Sequence, residues 1–174
     1  MKVWSVKELK TFLASQREDG LYPLWLTLAT TGMRRGEALG LRWQDIDLEA
    51  QTISIRQTRV VAGYQPLLST PKTRRGRRLI TLDPTTAAAL KSQCIRQRPE
   101  RLAESSSWQG AGYVFTREDG GPYHPERVSK LFIQASKKAG LPGIRLHDLR
   151  HYADSRIMPT VPRSAWLFPS ICRS

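Results

Sequence analysis

Between residues 51 and 82 the hydrophobic pattern changes its period, and that change limits the folds open to the chain. On either side, apolar residues recur at the three- and four-residue spacing of helices that bury one face. Within the stretch, β-branched residues come in short runs of the kind that form strands. The candidates are Thr52-Ile53-Ser54-Ile55, Arg59-Val60-Val61 and Arg78-Leu79-Ile80-Thr81-Leu82. The expected fold is therefore α+β and mainly helical, with a small antiparallel three-stranded sheet in the middle of the chain.

The helices announce themselves by their ends. Ser5-Val6-Lys7-Glu8 has the form of a capping box, and Leu9, Phe12 and Leu13 follow at helical spacing, so a first helix is expected to about Gln16. Leu24 to Ala29 is apolar enough for a buried second helix. Gly32 interrupts it, and Arg34 to Leu41 reads as a short third helix with Gly40 near its end. Asp45 to Ala50 reads as a turn. Asp83-Pro84 pairs a cap with a proline at the first helical position and opens a helix to about Arg96. Ser105 to Gly112 is a loop, and Tyr113-Val114-Phe115 is a short extended piece. His124-Pro125 starts another helix with Val128, Leu131, Phe132 and Ala135 on its inner side, closed by Gly140. Leu146 to about Ile157 completes the expected domain, residues 1–155. Residues 156–174 differ: Pro159, Pro162 and Pro169 preclude a continuous helix, and the tail reads as a frameshifted or truncated end.

The length of 174 residues fits one ordinary domain. No run suits a bilayer span and the start has no signal-peptide pattern, so the expected compartment is the cytoplasm, in association with the nucleoid. Cys94 and Cys172 sit in no CxxC pair, and neither a disulfide framework nor a zinc site is implied. The formal net charge is +13, and 20 of the 28 basic residues are arginine. Such an excess points to a polyanionic partner, because clustered cations gain affinity by releasing counterions from a phosphate backbone. Arginine's planar fork suits phosphate oxygens better than lysine's point charge.

Three segments carry candidate chemistry. In His147-Asp148-Leu149-Arg150-His151, His147 and Arg150 stand three apart and share a helix face, where an imidazole beside a guanidinium makes a phosphate cradle. Taken alone, the pair fits an ordinary polar helix surface better than a phosphate cradle. A metal reading of His147 and His151 is poor, since Asp148 stands where a zincin needs glutamate and Arg150 would repel a cation. In Thr31-Gly32-Met33-Arg34-Arg35-Gly36-Glu37, an arginine opens a helix just after a glycine break, beside backbone N–H groups that favour an anion. Glu37, one turn on, is placed to orient Arg34, although the same spacing also fits a weak surface ion pair. Pro71 to Arg78 sets five cations, Lys72, Arg74, Arg75, Arg77 and Arg78, on a hairpin turn, a density that favours contact with a DNA backbone over a merely solvated turn.

Together these segments resemble the tyrosine recombinase (phage integrase) family. The matching stretches are TGMRRGEALGLRWQDID at Thr31–Asp47, PKTRRGRRLITL at Pro71–Leu82, VFTREDGGP at Val114–Pro122 and AGLPGIRLHDLRH at Ala139–His151. The resemblance implies a catalytic-domain core for DNA integration and site-specific recombination, with double-stranded DNA and other recombinase protomers as partners and no cofactor, metal or small-molecule substrate. It implies that Arg34, His147 and Arg150 stabilise charge on the phosphate under attack, and that Lys72 protonates the leaving 5′ oxygen. Glu37 and His151 become accessory residues, and Arg35, Arg74, Arg75, Arg77 and Arg78 DNA contacts.

In the family a tyrosine attacks the phosphate and remains linked to it. The position of that tyrosine, and a second His/Trp position, are expected beyond the point where this chain stops, the family pattern dissolving from about Ala153. The expectation is thus a DNA-binding fragment that does not cut DNA; the alternative is a non-catalytic regulator or accessory protein on a recombinase platform. Tyr152 is the nearest substitute, but helical periodicity turns it away from both His147 and Arg150. Tyr22, Tyr64, Tyr113 and Tyr123 match no nucleophile position. An RNA-binding reading lacks an RNP-type aromatic strand, and a hydrolase reading lacks a G-x-S-x-G elbow. Arg34, His147 and Arg150 are expected to converge on one basic concavity.

Overall fold

Helix α1 (Val6–Ser15) starts at its capping box in the computed structural model, which describes residues 3–62, 65–69, 78–103 and 112–152. The Glu8 amide donates to Ser5 Oγ at 3.2 Å, and the Ser5 amide donates to Glu8 Oε2 at 2.6 Å. Two amides that a helix start would leave orphaned are satisfied reciprocally. Leu9, Phe12 and Leu13 form the buried face. Helix α2 (Tyr22–Thr31) begins slightly before the expected Leu24, because Pro23 is suited to the first turn. Every residue from Pro23 to Ala29 is buried, which suits a helix sunk in the core. It ends at Gly32, whose φ of 62° is the left-handed conformation that glycine adopts without strain.

Helix α3 (Arg35–Leu39) is shorter than the expected Arg34 to Leu41. After it come β1 (Ile46–Asp47), β2 (Thr52–Ile55), β3 (Thr58–Ala62), β4 (Gln65–Ser69) and β5 (Arg78–Thr81). The antiparallel three-stranded sheet exists, but its membership differs from the expected one. Its order is β1-β2-β5, with Ile53 facing Ile46 on one side and Ile80 on the other. The edge strand β1 comes from the segment read as a turn. The 59–61 run belongs instead to β3, which pairs with β4 in a separate hairpin. Two side chains account for the break between β2 and β3. Arg56 Nε reaches Asp45 Oδ1 at 3.4 Å, and Gln57 Nε2 donates to the Gly40 carbonyl at 2.6 Å. The chain is thereby turned off the sheet and onto α3, where the buried Arg59 sets its guanidinium 4.7 Å from the centre of the Tyr113 ring.

Helix α4 (Pro84–Ala103) is capped by Asp83, whose Oδ1 accepts from the amides of Thr85 at 2.9 Å and Thr86 at 3.0 Å. It runs past the expected end near Arg96. Its buried Gln93 and Gln97 both donate to the Val114 carbonyl, at 3.0 and 2.9 Å, fastening this length of helix to the extended 113–115 piece. Helix α5 (Pro125–Lys138) follows, with His124 Nδ1 capping Glu126 N at 3.3 Å. Of the last expected helix, Leu146 to about Ile157, the described part is a 3-10 turn over Leu146–Tyr152, and the residues after Tyr152 lie outside the described ones. Asp148 tightens it, donating its amide to the Arg145 carbonyl at 2.9 Å while Oδ2 accepts the Arg145 amide at 3.0 Å. The proline-containing tail lies outside the described residues, and so do Cys172 and all but Gly112 of the expected loop from Ser105 to Gly112. Among the described residues, no helix is long and apolar enough to cross a membrane.

The core centres on Trp4, Phe12, Trp25 and Phe132, with ring centroids 5.1 to 6.3 Å apart. Trp4 also ties the first described residues to the last: its Nε1 donates to the Pro142 carbonyl at 2.7 Å, and its own carbonyl accepts the Tyr152 hydroxyl.

At Gly36 the fold has no room for a side chain. A Cβ there would lie 2.4 Å from the Arg59 carbonyl oxygen and 2.7 Å from Thr58 Oγ1, so α3 and β3 would have to separate. Gly36→Ala should lower stability by about 1–3 kcal/mol in urea denaturation. Gly143→Ala, where nothing lies within 4 Å of the added atom, is the matched control and should stay within about 0.5 kcal/mol of wild type. Equal effects at the two positions would contradict the packing argument.

Candidate active site

The end of α2, the start of α3, strand β5 and the 3-10 turn enclose one open concavity of about 680 Å³. Arg34, Arg78, His147, Arg150 and His151 all line it, beside Thr31 and Gly32. The expected convergence of Arg34, His147 and Arg150 is what the structure shows. The link that produces it is a side chain to backbone bond over 118 residues: Arg150 Nε donates to the Gly32 carbonyl at 2.8 Å. In a 3-10 turn, residues three apart come back to the same side, which keeps His147 and Arg150 together.

Arg34 occupies the N-cap of α3 in an extended conformation. Of the backbone N–H groups expected to favour an anion there, the one of Arg34 itself is taken, since Arg34 N donates to Glu37 Oε2 at 2.7 Å. Arg34 Nη1 donates to Glu37 Oε1 at 3.0 Å. Arg78 closes the other side, with Nη1 on Oε1 at 3.0 Å and Nη2 on Oε2 at 2.9 Å. Glu37 is only 4% exposed. Its burial works to push the carboxyl up, but the Arg78 hydrogen bonds, the Arg34 amide, the Arg78 charge and the Arg34 side chain together outweigh it and hold the group below its ordinary value. The carboxylate stays charged and passes its orientation to Arg34, whose side chain is otherwise 60% exposed.

Asp148 does comparable work under the 3-10 turn. It is buried, and its two oxygens accept from Arg145 N, Nε and Nη2 at 3.0, 3.3 and 3.2 Å. Burial again opposes ionisation, and the Arg145 hydrogen bonds and charge, followed by His147, overcome it and leave the carboxyl below its ordinary range. The sequence reading weighed Asp148 only against a metal motif. Its place three residues after Arg145 was the available hint that it closes a turn.

Of the other expected residues, Arg35 turns away from the concavity and donates to Ser129 Oγ on α5 at 2.6 Å. Lys72, Arg74, Arg75 and Arg77 lie outside the described residues, as does Tyr64. Arg78, grouped with them by sequence, sits instead at the foot of β5 against Glu37. Tyr22, Tyr113, Tyr123 and Tyr152 are the tyrosines among the described residues, and none lines the concavity. Tyr152 faces the Trp4 carbonyl; burial, with a smaller push from the Glu8 charge, raises its phenol to about 12. Among the described residues there is no group of three or more His, Cys, Asp and Glu side chains placed to hold a metal.

The model of the phage integrase family matches residues 6–160. A tyrosine recombinase XerC-like protein of Caldanaerobacter subterraneus subsp. tengcongensis is 30% identical over 175 aligned positions, which take in 93% of this chain and 45% of the relative. The ICEBs1 integrase of Bacillus subtilis is 29% identical, over 87% of this chain and 41% of its own length. The chain thus spans less than half of these curated relatives. Among solved structures, a Tn1549 transposon integrase in complex with transposon right end DNA superposes with a TM-score of 0.76 at 21% identity, over 89% of this chain and 52% of that one. XerA recombinase superposes with a TM-score of 0.66 at 22% identity, over 88% and 48%. At these identities the superpositions speak to the fold.

Glu37 gives the site a predictable acid limb. Its folded pKa lies below the reference value of 4.5, so the unfolded chain binds the proton more readily. The stability this supplies is complete above that reference and is lost as the pH falls through the lower folded value. On acidification below pH 4.5, wild type should therefore lose stability more steeply than Glu37→Gln, as read from urea midpoints. Parallel acid limbs would contradict the ionised state assigned to Glu37.

Proposed function

Because the chain belongs to the phage integrase family, we propose that its described core is the phosphate-binding part of a tyrosine recombinase catalytic domain acting on double-stranded DNA. The observation that carries this reading is the meeting of Arg34, His147 and Arg150 on one basic concavity. A phosphodiester seated there meets two guanidinium groups and an imidazole. When an oxygen attacks its phosphorus, negative charge grows on the non-bridging oxygens, and donors already fixed around them lower the barrier without reorganising. Glu37 orients Arg34, and His151 adds a further polar group on the same wall. Lys72 is assigned the proton delivered to the leaving 5′ oxygen, and Arg35, Arg74, Arg75 and Arg77 the backbone contacts that hold the duplex. The chemistry asks for no cofactor, since a phenol supplies the nucleophile and arginines the positive charge. A protein working on chromosomal DNA, beside other recombinase protomers, would act in the cytoplasm on the nucleoid.

The nucleophile is the part these residues do not offer, since none of the tyrosines among the described residues lines the concavity. The same observation favours a second reading, in which the chain binds DNA as an accessory to a full-length recombinase.

Two experiments test these assignments. DNA affinity should be weak, indifferent to sequence and steeply dependent on salt, and Arg34→Ala and Arg150→Ala should each reduce the slope of log affinity against log salt by about 0.9. Affinity that stays constant from low to moderate salt would refute the phosphate-binding reading. With a nicked suicide substrate the 174-residue chain should leave no protein-linked DNA after denaturation, because none of the tyrosines among the described residues lines the concavity to attack in line. Supplying a tyrosine-bearing C-terminal segment in trans should produce the adduct. An adduct formed without it and lost on Tyr152→Phe would show that Tyr152 leaves the Trp4 carbonyl and attacks.

A further inference from the structure

Arg78 belongs by sequence to a run of cations on a hairpin, yet its two terminal nitrogens are both spent on one buried carboxylate. Glu37 Oε1 accepts from Arg34 Nη1 and Arg78 Nη1, each at 3.0 Å, and Oε2 accepts from the Arg34 amide at 2.7 Å and Arg78 Nη2 at 2.9 Å. An ionised carboxylate has about four lone-pair sites, so Glu37 is saturated. Two of the four donors come from Arg78 in the parallel fork geometry that fixes a carboxylate plane. The other two belong to Arg34.

We propose that Arg78 is a positioning residue: by clamping the plane of Glu37 from strand β5, it fixes the direction in which Arg34 presents its guanidinium to the concavity. Arg78 is itself placed by the sheet register, opposite Ile55 of β2, so the brace is anchored in the sheet. Arg34 has only one side-chain nitrogen on Glu37 and a side chain open to solvent; its direction depends on that single bond and hence on the carboxylate that receives it. A lysine at position 78 could reach one carboxylate oxygen as a point charge but could not hold both. The role rests on the concavity being a phosphate seat, and it differs from the backbone contact that the neighbouring cations suggest.

The test separates position from charge. Glu37→Gln with Arg78→Gln keeps the net charge of the site while removing the clamp. Affinity of the full chain for a short fluorescein-labelled duplex of arbitrary sequence is measured by anisotropy, together with the Nε–Hε resonance of Arg34 in protein labelled with 15N-arginine. Arg78→Gln should weaken binding to the level of Arg34→Ala, roughly three- to ten-fold, and should add nothing in the Arg34→Ala background. Neither Arg78→Lys nor the charge-balanced pair should restore it, and the Arg34 resonance should move or broaden in each while the backbone amide spectrum keeps its dispersion. Losses that add in the Arg34→Ala/Arg78→Gln variant would overturn the proposal in favour of direct contact with DNA. Restoration by the charge-balanced pair would overturn it in favour of a field effect. Arg34→Ala with undiminished affinity would instead overturn the phosphate seat; the Arg34 resonance, unmoved by Arg78→Lys, would overturn the clamp on its own.

Discussion

A buried carboxylate that stays charged has to be surrounded by donors, and Glu37 meets that demand with two arginines from different parts of the fold. An ionised group taken out of water costs several kcal/mol unless it is paired and hydrogen-bonded. That cost ties three things together: the start of α3, the foot of β5 and the guanidinium of Arg34. If any one is displaced, the buried charge loses part of its pairing. The site's geometry is thus protected by the same energetics that hold the helix on the sheet.

The other side of the concavity is built by a different route. Gly32 ends α2 in a left-handed conformation, and its carbonyl accepts the Arg150 Nε–H. Trp4 sits in the aromatic core and holds both the Pro142 carbonyl and the Tyr152 hydroxyl, so the 3-10 turn is fastened before and after its histidine and arginine. Asp148 pulls the same turn tight from beneath. Backbone bonds and one buried carboxylate therefore set His147 and Arg150, while a second buried carboxylate sets Arg34. Positive charge is concentrated in one place by negative charges placed behind it.

Much of this was legible in the sequence wherever the cause was local. Ser5 with Glu8, Asp83 with Pro84 and the glycine at 32 each mark an element's end by chemistry within a few residues, and the helices stand where those marks put them. That Arg34, His147 and Arg150 would line one concavity was legible through motif order. What the sequence hid was non-local. The break between β2 and β3 depends on Gln57 finding the Gly40 carbonyl and Arg56 finding Asp45, so the 59–61 run left the sheet that its β-branched residues suggested. The partition of the basic hairpin run was equally hidden: sequence gave no reason to separate Arg78 from Arg77, and only strand register puts it against Glu37. The turn carrying His147 is 3-10 and not α-helical because Asp148 bonds back to Arg145, yet Tyr152 points away under either period.

The account stands or falls on whether a phosphate enters the concavity. The most direct measurement is a crystal structure of the chain bound to a short DNA duplex. It should show one backbone phosphate between Arg34, His147 and Arg150, with the Arg34–Glu37–Arg78 bonds intact behind it. Duplex seated on another basic face, with that concavity holding only solvent, would contradict it.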